Sequence, residues 1–254
     1  MRQTVFFLAL LALGWPIPVH AGAWTMPSGD LWLKAAGIAQ RADEFYAKQS
    51  AILPDGTRVE PGDRRPYDDH GESEQYMIWM EGEYGITDRL TLGVQTAWKD
   101  LRFEDDFTRS RSYGWGDTWA VGRFAILTGQ QRLSFRTALK IPTGKFSTEV
   151  GQIPIGENQP DLDLGLQWGM SLGRELSWLG VEGLYRFRFE DESRSFDPGD
   201  EVFFRAEAGW GFHRRFGLKA RRAGWSHTLG SESWPAAPLW SASVARVFGL
   251  FSGS

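Results

Sequence analysis

A chain of 254 residues, 42% hydrophobic and 14% aromatic, is long enough for one domain with a core and too aromatic for a disordered chain. It contains no cysteine, which excludes disulfides, thiolate catalysis and cysteine-ligated zinc. The formal net charge of −4 lacks the basic surplus that nucleic-acid binding calls for.

The chain opens with a short basic start, Met1-Arg2-Gln3, and an apolar run from Val5 to Trp15. "PIPVHA" follows, with Val19 and Ala21 suited to a signal peptidase. The pattern predicts a cleavable signal over 1–21, cut after Ala21 or Ala23, and a single domain over 22–254. The run is too short to span a bilayer comfortably as a helix. No later stretch reaches the length of a membrane helix, so membrane residence would have to rest on strands.

Period-2 alternation predicts those strands, about ten of them: 30–40, 74–84, 90–103, 117–127, 132–141, 161–171, 177–189, 201–212, 216–225 and 239–248. In "DLDLGLQWGM" Leu162, Leu164, Leu166, Trp168 and Met170 share one face, while Asp161, Asp163, Gly165, Gln167 and Gly169 share the other. "VFFRAEAGWGF" alternates likewise from Val202 to Phe212, with Phe203 as the exception. Strand 117–127 is the weakest: its apolar face, Thr118, Ala120, Gly122, Phe124 and Ile126, is made partly of small residues, and Trp119 and Val121 would point the other way. Short connections near 85–89, 128–131, 172–175 and 214–215 alternate with long polar ones near 41–73, 104–116, 142–160, 190–199 and 226–238.

Short turns at one end and long loops at the other describe an antiparallel, all-β transmembrane barrel of the outer membrane. Apolar side chains would face lipid and polar ones the lumen. An even strand number would put both termini in the periplasm, with short periplasmic turns and long extracellular loops. The same alternation would suit a soluble β-protein with its apolar face inward. Large apolar residues on most strands favour the membrane barrel, because a closed soluble barrel of ten strands has little room for them.

Three stretches carry a family resemblance: "AGAWTMPSGDLWLKA", "GITDRLTLGVQ" and "KIPTGKF…PIGENQPDLDLGLQWGMSLG". From about Gly22 to Gly230 the chain resembles outer-membrane barrel proteins grouped with the transporters of phenol meta-pathway degradation clusters. The resemblance implies a porin-like passive channel for small hydrophobic or aromatic compounds in a Gram-negative envelope. Such proteins often have twelve strands, whereas this sequence supports ten.

The polar faces nominate a lumen lined by Lys34, Glu81, Glu83, Lys99, Arg123, Arg136, Lys140, Asp163, Glu182, Arg186, Arg188, Arg205, Glu207, Lys219 and Arg221, with Arg132, Asp117 and Asp161 beside them. Basic groups outnumber acidic ones, so an open path would favour anions slightly. Glu182 with Arg205, and Arg186 with Glu207, are candidate cross-strand pairs. Equally, such pairs could stitch the interior shut, leaving a structural or partner-binding barrel that acts through its extracellular loops.

The first long loop gathers Asp55, Asp63, Asp68, Asp69, Glu72 and Glu74 near His70, at spacings that match no standard calcium loop. It reads as a solvated extracellular loop, with Arg64 and Arg65 as candidate contacts to lipopolysaccharide phosphates. Only His70, His213 and His227 follow the signal, and there is no G-x-S-x-G elbow. An outer-membrane hydrolase is therefore the minor alternative. The expected partners are outer-membrane lipid and lipopolysaccharide, the barrel assembly machinery and a small solute. No cofactor, metal or nucleic acid is expected.

Overall fold

The structure is a computed structural model that describes residues 6–8, 22–46, 50–52, 56–60, 63–147, 152–173, 177–191, 198–213 and 216–227. In chain order the elements are β1 (Phe6–Leu8), β2 (Leu31–Ala42), β3 (Glu44–Tyr46), β4 (Ala51–Ile52), β5 (Arg58–Val59), β6 (Arg64–Pro66), a 3-10 turn at Asp68–His70, β7 (Glu72–Thr87), β8 (Leu90–Glu104), β9 (Arg109–Trp115), β10 (Thr118–Leu127), β11 (Gln131–Ile141), β12 (Asp161–Ser171), β13 (Trp178–Arg188), β14 (Glu201–His213) and β15 (Phe216–His227). The main sheet is an antiparallel meander in the order β1-β2-β7-β8-β10-β11-β12-β13-β14-β15, with β9 also on β8. Two small ribbons, β3 with β6 and β4 with β5, decorate the first long connection.

The burial pattern is that of a water-soluble protein turned inside out. On β12, Asp163 and Gln167 are each 1% exposed, while Leu166 between them is 52% exposed. Leu31, Leu33, Ile78, Val94, Phe124, Val181, Phe204 and Trp210 are likewise exposed, and Lys140, Asp161, Glu182, Glu201 and Glu207 are buried. Water on the convex face would make this arrangement costly at about 25 cal/mol per Å² of apolar surface; lipid removes that cost. A sheet curled with its charges inside and its apolar side chains outside is the outer-membrane barrel architecture.

One expected loop is instead a strand. Alternation leaves residues 104–116 as a long connection, but β9 continues the β8 hairpin from Glu104↔Arg109 to Trp98↔Trp115. The actual turn is Asp105–Thr108, where Asp105 Oδ1 accepts from the backbone N–H of Phe107 and Thr108. β10 then takes the same side of β8, from Gln95 to Leu90, so β9 and β10 act as one long strand broken at Gly116 and Asp117. At 16 and 15 residues, β7 and β8 exceed the 9–11 or so that a tilted strand needs to cross hydrocarbon. Their upper halves therefore stand in a polar zone, and there a strand carries Arg and Ser like a loop.

The weak strand adopts the register with Ala120, Gly122, Phe124 and Ile126 outward. Val121, Arg123 and Ala125 are buried on the concave side. Phe203 breaks the alternation of β14 because it meets Leu184 across the sheet, and both are buried inward. The expected strand 239–248 lies outside the described residues, as does the expected signal 1–21 apart from β1, which pairs with Gly37–Ala39 of β2.

Candidate functional site: a charged interior with two cross-lumen segments

Strand alternation delivers the polar residues to the concave face, and antiparallel register sets them in rows. Lys140, Asp161 and Arg188 form one row across β11, β12 and β13. Lys140 Nζ lies 2.7 Å from Asp161 Oδ2 and also bonds Glu157, while Arg188 reaches Glu201 and Glu157 at 3.1 Å each. One row on, Arg186 donates to both oxygens of Asp163 at 2.7 and 3.1 Å and to Glu201 at 3.2 Å. Arg136 bridges Asp163 and Glu182 at 3.4 and 3.7 Å. Arg205 sits 2.5 Å from Glu182, and Gln167 donates to Glu182 at 2.7 Å. Arg123 then donates to Gln167 and, with two N–H groups, to Glu83 at 2.9 and 3.0 Å. The ladder runs along the barrel interior from its long-loop end toward its short-turn end.

These contacts account for most of the nominated interior set. Lys34 and Glu81 pair at 3.3 Å, with Gln95 also on Glu81. Lys99 donates to the Ile155 carbonyl at 2.9 Å, and Glu207 accepts from the Gly22 N–H. Lys219 and Arg221 stand opposite Gly209 and Glu207 in the register. Of the two candidate pairs, Glu182 with Arg205 forms. Arg186 with Glu207 does not: Glu201 is the residue opposite Arg186, and Asp163 is its neighbour on the other side.

The opposite wall is mixed, with apolar side chains beside Lys34, Glu81, Glu83 and Lys99. Alternation places Trp32, Ile38, Met77, Trp79 and Leu101 on the concave side of β2, β7 and β8, since Leu31, Leu33, Tyr76, Ile78 and Val94 are the exposed ones. On the ladder side, Arg186 lies over the Trp119 ring at 4.7 Å, a cation–π contact. The interior thus mixes apolar side chains with charges along one side and carries a continuous ion-paired ladder along the other.

Two segments cross this interior, and neither crossing was legible in the sequence. Residues 22–28 form a strap at the short-turn end. Gly22 reaches Glu207 on β14, the Ala23 carbonyl accepts from Ser134, and the Trp24 carbonyl accepts from Arg123 at 3.1 Å. Thr25 and Ser28 then bond Asp88 in the β7–β8 turn, and Met26 N–H bonds Thr91. Trp24 packs edge-on against Trp178, ring centres 6.5 Å apart, and both are buried. Gly169 and Gly209 make room: a Cβ on either would overlap an indole. The available signal was a pair of inward-facing glycines in otherwise polar rows.

At the other end, residues 142–147 and 152–160 of the long connection fold inward. Asp117 accepts from Gly144 N–H at 3.0 Å and Glu157 N–H at 2.9 Å, tying the two limbs together. Ile153 N–H reaches Ser112 on β9 at 3.0 Å, and Lys99 holds Ile155. Gly144 and Gly156 touch so closely that a Cβ on Gly144 would lie 2.6 Å from Gly156 Cα. Burial opposes charge on Glu157, but the hydrogen bond and charge of Lys140, with Arg188 beside it, win and hold its carboxyl below the usual range.

Several acids of the first long connection have local partners, Asp68 facing Arg65 at 3.9 Å among them. Asp63 accepts from Glu60 N–H, Glu72 pairs with Arg41, and Arg64 pairs with Glu44; Asp55 lies outside the described residues. His70 Nδ1 lies 2.9 Å from Asp106, whose hydrogen bond and charge raise the imidazole above its ordinary 6.5. Because the folded value is raised, this contact contributes below pH 6.5 and fades as pH rises through the folded value. A histidine NMR titration should show a His70 midpoint above 6.5 that falls in Asp106→Asn. An unshifted midpoint in the parent protein would refute the contact.

No protein-family model and no curated protein sequence matches the chain. Among solved structures, it is similar to the COG4313 outer membrane channel from Pseudomonas putida F1, with a TM-score of 0.52 and 17% identity over 82% of this chain and 76% of that one. At that identity the likeness establishes a shared fold.

Proposed function

We propose that this chain is a passive outer-membrane channel for small solutes, with its short turns and both termini in the periplasm. The observation that carries the reading is the inverted burial: a charged, ion-paired interior inside a wall of exposed apolar side chains. The likeness to a solved outer-membrane channel supports it. An interior that sets Trp32, Ile38, Met77, Trp79 and Leu101 among its charges suits solutes with an apolar body and a polar group, in keeping with the hydrophobic or aromatic class suggested by the family resemblance. Cleavage after Ala21 would turn the Gly22 nitrogen into an ammonium beside Glu207, strengthening the strap's anchorage there.

A second reading is favoured by the strap and the ion-paired ladder themselves: a barrel stitched shut, acting through its loops. Single-channel recording of the mature protein in a planar bilayer separates the two. Discrete current steps, with ion selectivity altered by Arg205→Ala, are the expected result. A folded but silent barrel would favour the second reading.

A further inference from the structure

The outward face of β2, β7, β8 and β9 has a depth profile that can be read row by row. Ile78, Trp98 and Trp115 share one row, and Tyr76, Asp100 and Tyr113 share the next toward the long-loop end. Then comes the row Arg41, Glu74, Arg102 and Arg111, and above it Glu72, Glu104 and Arg109. Rows two residues apart are about 7 Å apart along a strand. Apolar wall, aromatic belt and charged band thus follow one another at the spacing of hydrocarbon, interface and headgroup.

Within that band the arginines are built into position. Asp100, only 6% exposed, accepts from Arg102 at 3.0 Å and from Arg111 at 2.9 and 2.8 Å. Arg102 lies over the Tyr76 ring at 5.6 Å and Arg111 over the Tyr113 ring at 5.7 Å. One carboxylate and two rings therefore hold two guanidinium groups, side chains 43% and 55% exposed, on the lipid-facing wall. Each guanidinium has five N–H donors, and Asp100 takes at most two from either. Beside them lies a cleft of about 590 Å³ whose lining includes Arg41, Glu72, Glu74, Glu104 and Arg109.

We propose that Arg102 and Arg111, tethered by Asp100 above the Tyr76–Tyr113 belt, bind a phosphate of the lipopolysaccharide headgroup in the outer leaflet. Glu74 and Glu104 accept from its sugar N–H and O–H groups. Fixed guanidinium pairs suit phosphate because two N–H groups match two oxygens. The band carries both signs, so it suits a headgroup with donors as well as anionic acceptors better than a simple anionic phospholipid. The proposal rests on the outer-membrane reading above and on the long loops facing outward.

The test is native mass spectrometry of the purified protein in detergent micelles, offered diphosphoryl lipid A and phosphatidylglycerol together. The protein should retain lipid A in preference, dephosphorylated lipid A should be retained poorly, and Arg102→Gln with Arg111→Gln should cut retention about tenfold. A heat-modifiable gel shift checks that the double variant is folded. If it is not, Arg111→Lys reads the same contact and should show a smaller loss, since lysine keeps the charge but not the fork. Undiminished retention by the variants, equal retention of phosphatidylglycerol, or a loss confined to Arg64→Gln with Arg65→Gln would each overturn the proposal. Thr108→Cys, in the β8–β9 turn, tests the underlying orientation separately. Labelling by an impermeant maleimide on intact cells supports it, and protection would remove the outer leaflet as the source.

Discussion

Asp163→Ala should cost the barrel about 3–5 kcal/mol, the range found when one member of a buried ion pair is removed. That is a large part of the 5–15 kcal/mol or so that holds a typical domain folded. Asp163 is 1% exposed and serves both Arg186, at two oxygens, and Arg136. Alanine would leave two guanidiniums in an enclosed space with Glu201 and Glu182 as their remaining acids. Urea unfolding of the refolded protein in micelles reads the loss. Asp163→Leu combined with Arg186→Met should recover most of it, because replacing a buried pair by apolar residues of similar size is often near neutral. A single variant within about 1 kcal/mol of the parent would mean that water enters and the ladder is solvated. That outcome would also favour an open conducting path.

Much of this fold could be read from alternation, because a membrane barrel writes its two faces into every strand. The stretch from Asp161 to Met170 is the clearest case: its polar residues are the buried ones and its leucines the exposed ones. The rule weakens where both faces meet polar surroundings. Arg109, Arg111, Tyr113 and Trp115 alternate with Ser110, Ser112 and Gly114, yet the segment resembles a loop because it stands above the apolar band. Antiparallel register adds a further constraint. An antiparallel alignment with Glu182 opposite Arg205 forces Glu201 opposite Arg186, so the two cross-strand pairs drawn from sequence are incompatible, and the structure keeps the first. The strap and the inward loop have no periodicity to reveal them. Their contacts join residues as distant as Gly22 and Glu207, and the only local trace is glycine where an indole or a second backbone must fit.

Those glycines lead to the larger functional expectation. Trp24→Ala should raise single-channel conductance at least about twofold, and Gly169→Val should do the same from the other side of the contact. A strap docked through Ala23, Trp24 and Thr25 narrows the interior at the short-turn end, and the Trp24–Trp178 pair is its apolar anchor. Truncating a buried tryptophan costs about 3–5 kcal/mol where the whole fold depends on it. Here the cost should fall on strap docking, since the sheet's own hydrogen bonds do not pass through residues 22–28. The gel shift and the urea midpoint should therefore move little while the current rises, a combination that a general loss of stability cannot produce. The chain has no cysteine of its own, so Ala23→Cys with Ser134→Cys offers a reversible version: the Ser134 hydroxyl bonds the Ala23 carbonyl, and a disulfide there would pin the strap. Conductance should be low when the pair is oxidised and rise on reduction. Currents indifferent to all three changes would place the narrowest point elsewhere, at the inward 142–160 loop, where releasing the Asp117 clasp by Asp117→Ala becomes the change that should open the path.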